Sequence, residues 1–393
     1  MMFKRICSFC LCFCLLFSAC AFAAAEENTD KESQEKQSSE MVNAKSAILM
    51  EQTTGTVLYE QNPDEKLQIA SVTKVMTMLL IMEAISDGKI KYTDMVSTSE
   101  HAASMGGSQV FLEPGEEMSV DDMLKAICVS SGNDAAVAMA EHIGGSEEAF
   151  VDMMNKRAAE LGAKNTHFIN CNGLDETDEH YSTARDIALI SCELLKHEDI
   201  QKYTTIWMDS LRDGKFGLSN TNKLIRFYKG ANGLKTGSTS VAKYCLSASA
   251  KRDNMQLVAV VLCAPSTQDR FSGASKLLDY GFANYEVAEG ARLAGDTEKI
   301  PVIGGEKDFA ACETKSSDNL VVKKGEASKI EVKKTLPNEI SAPVKKGDKI
   351  GELSFILDGK EIAKKDIVAS EDVQRIKLFR MYIKILNKWL MVN

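Results

Sequence analysis

Residues 71–89, SVTKVMTMLLIMEAISDGK, narrow the folds open to this chain more than any other stretch. They are rich in helix formers, apolar on nearly every side, and end in the turn pair Asp87-Gly88. A helix that is hydrophobic all round has to be enclosed, so it belongs at the centre of a sizeable core. With 393 residues, 44% of them hydrophobic, the chain is long enough for two or three domains. One residue disturbs the run. Lys74 stands where a core favours leucine, one turn after the hydroxyl of Ser71. Either the lysine snorkels to water, or it is a base beside a nucleophile.

The flanks say what encloses that helix. KSAILMEQTTGTVLYEQ reads as two strands around Thr53 to Thr56, and CLSASAKRDNMQLVAVVLCAP as a second hairpin turning at Arg252-Asp253-Asn254. Between them SVDDMLKAICVSSGNDAAVAMAEHIGG is helical, broken at Ser130 to Asn133, and STARDIALISCELLKH and ASKLLDYGFANYE are further helices. Strands first, helices in the middle and strands with a helix at the end predict an α+β unit, an antiparallel sheet with helices packed on it. From about Ala291 the texture changes to short alternating runs broken by glycines, such as NLVVKKGEASKIEVKK, which predicts a small β-domain over 291–370.

The two ends point outside the cytoplasm. Lys4 and Arg5, an apolar stretch and Ala21-Phe22-Ala23 make a secretion signal over 1–25. The alternative of a lipid anchor at Cys20 is weakened by Phe17, which stands where leucine is usual. Residues 26–42 are a charged tract without an apolar face and read as a spacer, leaving the catalytic unit to 43–290. At the other end, VQRIKLFRMYIKILNKWLMVN sets Lys377, Arg380, Lys384, Asn387 and Lys388 on one narrow helical face. The rest is apolar and aromatic, so 371–393 suits the interface of an anionic membrane, docking on its own protein being the competing reading. The net charge of −9 argues against a nucleic-acid surface. Five of the 11 cysteines lie in the signal; nothing in the spacing of Cys128, Cys171, Cys192, Cys245, Cys263 and Cys312 fixes a disulfide.

Ser-x-x-Lys by itself carries little information, since it occurs at Ser33, Ser71, Ser86 and Ser240. Only Ser71 opens a long buried helix. There the hydroxyl and the amine share a helix face, and the helix start favours an oxyanion and disfavours an ammonium. Burial lowers the lysine pKa further, so a neutral Lys74 can take the Ser71 proton. Two further elements follow in order, Ser131-Gly132-Asn133 and Lys235-Thr236-Gly237. Ser317-Asp318-Asn319 imitates the first of these from within the β-domain. Each has a bland reading alone, as a helix break or a hairpin approach; the ordered set does not. The histidines, five in all, show no metal-ligand spacing, and no metal or other cofactor is expected.

ASVTK, SSGN and KTG, in this order and at these separations, resemble the active-site motifs of penicillin-binding proteins and serine β-lactamases. The surrounding SEHAASMGGSQVFLEPGE, SGNDAAVAMAEHIGG and NTNKLIRFYKGANGLKTG resemble the low-molecular-mass D-alanyl-D-alanine carboxypeptidases of serine peptidase family S11. The resemblance implies a sheet with helices on both sides and a helical subdomain, followed by the β-domain and the tail. It implies Ser71 as acylated nucleophile, Lys74 as base, Ser131 as proton relay and Asn133 as a holder of Lys74 and of the substrate amide. Lys235 would add positive potential and, with Thr236, attract the substrate carboxylate. Gly237 would leave the substrate backbone unobstructed, and the N–H groups of Ser71 and Ser238 would form the oxyanion hole. Arg270 would stand near the carboxylate site. The implied partners are peptidoglycan stem peptides ending in D-Ala-D-Ala, β-lactams and the outer face of the cytoplasmic membrane.

Two other classes compete. A class A β-lactamase needs Glu-x-x-Leu-Asn between Asn133 and Lys235, and Glu160-Leu161 and Glu193-Leu194 both fail that spacing. A non-catalytic penicillin or muropeptide sensor would need a route across the membrane, and the interior of the chain offers no such span.

Overall fold

The computed structural model describes residues 41–174, 177–289, 299–314 and 319–390. The expected signal and most of the spacer lie outside the described residues, as do Ser317 and Asp318. Val42, assigned to the spacer by its neighbours in sequence, is buried, and its carbonyl accepts from Gln61 Nε2 at 3.2 Å.

Five strands form an antiparallel sheet: β1 (Ser46–Glu51), β2 (Val57–Gln61), β3 (Ala231–Thr239), β4 (Lys243–Arg252) and β5 (Met255–Ala264), in the order β2-β1-β5-β4-β3. Both hairpins expected from sequence are present. β5 is buried at every position, and apolar at all but Gln256, because both its faces are covered. Val258, Val260 and Leu262 join Ile48 and Met50 in the main helical core. Leu257, Ala259 and Val261 pack with Leu49 against Leu277 and Phe282 on the other face. That second face is covered by the long C-terminal helix of the domain, Thr267–Asn284.

On the first face sits α1 (Lys74–Ser86), with every residue from Lys74 to Met82 buried. Around it pack α2 (Val120–Ser130), α3 (Asn133–Gly144), α4 (Glu147–Glu160) and α5 (Ala184–Leu194). Arg157 on α4 ties to Glu83 of α1 at 2.8 Å and to Glu193 of α5 at 3.0 Å, closing the exposed end of the group. The helix Thr267–Asn284, here α6, is followed directly by a strand, Tyr285–Ala288, which pairs with Leu320–Lys323. The sequence reading ended the helix at Glu286 and began the β-domain near Ala291. The difference arises because Tyr285 to Ala288 find strand partners some 35 residues downstream, which local periodicity does not contain.

The C-terminal β-domain is built on a six-stranded sheet of β6 (Lys299–Ile303), β7 (Phe309–Thr314), β8 (Glu331–Thr335), β9 (Ile340–Ser341), β10 (Lys349–Leu357) and β11 (Lys360–Ala369), in the order β8-β10-β11-β7-β6-β9. The terminal helix α7 runs over Leu378–Leu390 rather than from 371. Residues before it are held by the β-domain: Val373 bridges Val344 and is buried, and Arg375 bridges Gly305. Among the described residues no helix is long and apolar enough to cross a membrane. All six described cysteines are buried free thiols.

Candidate active site

Ser71 does not lie in α1. It sits in a 3-10 turn, Ala70–Thr73, and the α-helix proper begins at Lys74. Side chains three apart eclipse one another in a 3-10 turn, which stacks the Ser71 hydroxyl on the Lys74 amine at 3.1 Å. Lys74 itself is the first residue of the α-helix, where the partial positive charge of the free N–H groups opposes an ammonium. The turn is strained: Ala70 adopts φ +48°, a left-handed conformation unusual for alanine. It is clamped from outside by Gly173, whose added Cβ would fall 2.0 Å from the Ala70 carbonyl oxygen. Thr73 Oγ1 and His180 Nε2, 2.7 Å apart and both buried, hold the next residue.

Lys74 is fully buried and donates to Asn133 Oδ1 at 2.5 Å and to the Asn172 carbonyl at 2.9 Å. Burial, and then the charge of Lys235, hold its pKa well below the ordinary lysine value. Lys235 is 1% exposed and is itself lowered to about 7, by burial and by the Arg270 guanidinium. The nearby Cys128 and Cys171 thiols are pushed up by burial and stay protonated.

Asn133 opens α3 two residues after Ser131, which caps the end of α2 with φ +66°. Its side chain also donates to the Gly106 carbonyl at 2.8 Å, and the neighbouring Asp134 carboxylate accepts from Val110 and Leu112 N–H. The loop between Gly106 and Leu112 is thereby fixed to the Ser131–Asn133 element.

The Lys235-Thr236-Gly237 string lies inside β3, not ahead of a strand, and β3 is the free edge of the sheet. Gly237 has a reason the sequence reading did not supply. A Cβ there would fall 2.7 Å from the Ile69 carbonyl oxygen and 2.9 Å from the Ser71 and Val72 nitrogens. The glycine lets the strand approach the nucleophile turn of its own chain, and so brings the Ser238 segment beside the Ser71 N–H. Thr236 Oγ1 donates to Thr221 Oγ1 at 2.7 Å. Arg270, on α6, lies behind the strand: it donates to the Gly237 and Cys245 carbonyls at 3.1 and 3.3 Å and stacks over Phe271 and Tyr244.

Thus Ser71, Lys74, Asn133, Lys235 and Gly237 converge, Ser131 and Thr236 flank them, and Arg270 supports the strand from its other side. Sequence reasoning missed Asn172, Gly173, Thr221 and Asp134. The Asn170-Cys171-Asn172-Gly173 string was readable as a turn. Nothing in its spacing pointed at Lys74, 98 residues away.

A serine hydroxyl 3.1 Å from a buried amine of lowered pKa, beside an open strand edge, is an arrangement suited to serine hydrolase or acyl-transfer chemistry. Residues 31–266 match the peptidase S11 family, described as D-alanyl-D-alanine carboxypeptidase, and residues 287–375 match the penicillin-binding protein 5 C-terminal domain. The chain is 49% identical to D-alanyl-D-alanine carboxypeptidase DacF of Bacillus subtilis, over 90% of this chain and 92% of that one. It is 34% identical to DacA of Escherichia coli over 88% of each. Penicillin-binding protein 5 of Haemophilus influenzae superposes with a TM-score of 0.76 at 34% identity, covering 85% of this chain and 98% of that one. The chain belongs to the S11 family of D-alanyl-D-alanine carboxypeptidases.

Proposed function

We propose that this protein removes the terminal D-alanine from peptidoglycan stem peptides through an acyl-serine intermediate, and that β-lactams acylate the same serine. The observation that carries this is Lys74: a buried amine of lowered pKa, 3.1 Å from the Ser71 oxygen. Neutral Lys74 takes the Ser71 proton as Oγ attacks the penultimate D-alanine carbonyl. The oxyanion forms against the N–H groups of Ser71 and Ser238. Ser131 passes a proton to the leaving amine, and terminal D-alanine departs. Water then hydrolyses the acyl-enzyme. Asn133 fixes Lys74 and reads the substrate amide. Lys235 and Thr236 hold the terminal carboxylate, whose arrival favours the charged form of Lys235. Arg270 acts as a positioning residue, through its bonds to the strand that carries Gly237. Glu160 and Glu193, the glutamates weighed for β-lactamase chemistry, are both engaged by Arg157 on the far side of the helices.

In this reading 1–25 export the chain, the domain that ends with α6 is catalytic, the β-domain that follows from Tyr285 is a spacer, and the tail holds the enzyme to the outer face of the cytoplasmic membrane. What supports the last point is exposure: Leu378 is 87% exposed, Phe379 75% and Trp389 78%, an apolar surface without cover on its own protein. Deleting 378–393 is expected to abolish sedimentation with anionic lipid vesicles and to leave D-alanine release intact.

The primary test is mass spectrometry after penicillin, followed by turnover of a peptide ending in D-Ala-D-Ala. A label on Ser71, lost in Ser71→Ala, together with catalytic D-alanine release is the expected result. Label without turnover would favour the sensor, fast penicillin hydrolysis the β-lactamase, and no adduct would remove the site.

A further inference from the structure

Besides Ser71, the Lys74 amine has two acceptors, Asn133 Oδ1 and the Asn172 carbonyl. One carboxylate outside the site is bonded to the supports of both. Glu147 is the first residue of α4, where Ser146 already caps the helix by accepting the Ala149 N–H at 3.2 Å. The Glu147 side chain is therefore not needed at the helix start and reaches to other elements. Its Oε1 accepts the Cys171 N–H at 3.0 Å. Cys171 precedes Asn172, which receives Lys74, and Gly173, which clamps the Ala70 carbonyl. Its Oε2 lies 2.8 Å from Nε2 of His101, in the short helix Glu100–Ala103. That helix leads into Met105 and Gly106. The Met105 sulfur accepts from the Asn172 amide at 3.7 Å, and the Gly106 carbonyl accepts from the Asn133 amide at 2.8 Å.

The Glu147 side chain is mostly withdrawn from water, and His101 fixes its orientation through a charge-assisted bond. That bond raises the His101 pKa, and the charges of Glu141 and Glu148 act in the same direction. We propose that Glu147 is a positioning residue for Lys74, a tie between residues 170–173 and 105–107 that sets both acceptors of the amine. The inference rests on the reading of Ser71 and Lys74 given above. Among the described residues Glu147 makes no hydrogen bond to either of them, so it acts through the Asn172 carbonyl and Asn133. Without the tie the Cys171 N–H loses its acceptor, and the Asn172 carbonyl is free to withdraw. Neutral Lys74 is then aimed less often at the Ser71 oxygen, which slows proton transfer. Loss of an acceptor also disfavours the ammonium, so the Lys74 pKa falls further. The other titratable neighbours of Lys74, namely Lys235, Cys171 and Asp134, are left in place.

The test follows penicillin acylation of the full chain across pH by quench kinetics, at a temperature where each variant keeps the wild-type circular dichroism. Glu147→Ala is expected to acylate about ten- to hundredfold more slowly at the plateau. Its acid limb should move down by about half to one pH unit. Glu147→Gln keeps an acceptor oxygen for the Cys171 N–H, so its plateau should stay within about twofold of wild type and its limb in place. His101→Ala, which frees the other oxygen, should lose about two- to threefold. A Glu147→Ala plateau within about twofold of wild type, or a loss that leaves the limb unmoved, would overturn the proposal. A limb that moves as far in Glu147→Gln as in Glu147→Ala would do the same, because charge rather than the tie would then be responsible. Should Glu147→Ala fail to fold, Glu147→Met keeps the bulk, lacks both acceptors and is read in the same way. No acylation of wild type at Ser71 would remove the reading of the site itself. Normal acylation of wild type with unchanged variants removes the positioning role alone.

Discussion

Two pairs of lysines, one pair in each domain of this protein, behave in opposite ways. In the catalytic domain Lys74 and Lys235 are 0% and 1% exposed, have no carboxylate partner at hydrogen-bond distance, and have pKa values driven down by burial. In the β-domain Lys349 and Lys364 stand half in water and share Glu352 at 2.7 and 2.9 Å; the pKa of Lys349 is raised by Asp366 and Glu352, and that of Lys364 by Glu352. Glu352 is lowered to about 2 by the same contacts. One set is prepared to lose its charge, the other to keep it. A lysine becomes a base only where the fold withdraws water without returning a counter-charge, and that arrangement costs stability.

The comparison can be broken most severely at Lys74. Lys74→Met should lower penicillin acylation by about 10³-fold or more, the scale of a lost general base, measured by stopped-flow or quench kinetics. A small loss would mean that another group takes the Ser71 proton. Gly237→Ala comes next. Its Cβ has no room against the Ile69 carbonyl and the Ser71 nitrogen, so the strand or the nucleophile turn must shift. An acylation rate about 10²-fold lower with retained secondary structure is expected.

Lys235 separates charge from chemistry. Removing its positive charge lets Lys74 hold a proton to higher pH, so the acid limb of acylation in Lys235→Met should move upward in pH. Stability should change in the opposite sense to activity. An unfolded lysine keeps its proton to about 10.4, whereas folded Lys235 keeps it only to about 7. Below pH 7 the native state therefore carries the full cost of the buried charge, and that cost fades as pH rises from 7 toward 10. Lys235→Met is expected to be more stable than wild type by about 1–3 kcal/mol at pH 6, with a smaller gain at pH 9, by denaturant unfolding. The smallest effect belongs to the other domain. Lys349→Met should shift the melting temperature by less than about 2 °C, since exposed ion pairs contribute little. A large loss there would show that the β-domain charges are structural rather than solvated.

Both hairpins, the order of strands and helices, the onset of an alternating β-rich texture and the amphipathic tail were legible because each leaves a local period in the chain. Ser71 and Lys74 were legible for the same reason, as a hydroxyl and an amine one turn apart at the head of a run that has to be buried. What the chain did not disclose are contacts made across long separations. Asn133 lies 59 residues from Lys74 and Asn172 lies 98. The 3-10 turn that stacks Ser71 on Lys74 is held by Gly173 from a distant loop, and Thr236 meets Thr221 only because the intervening segment folds back on β3. Even at Gly237, what excludes a side chain is the backbone of Ile69 to Val72. By itself the sequence determined which elements form and which residue types carry the chemistry, through periodicity and composition. The tertiary structure alone decided that Lys74 is dry, that Lys235 stands near enough to depress it, and that β3 presents a free edge to the nucleophile. Dielectric environment and edge exposure are properties of packing, and packing joins residues that no local period connects.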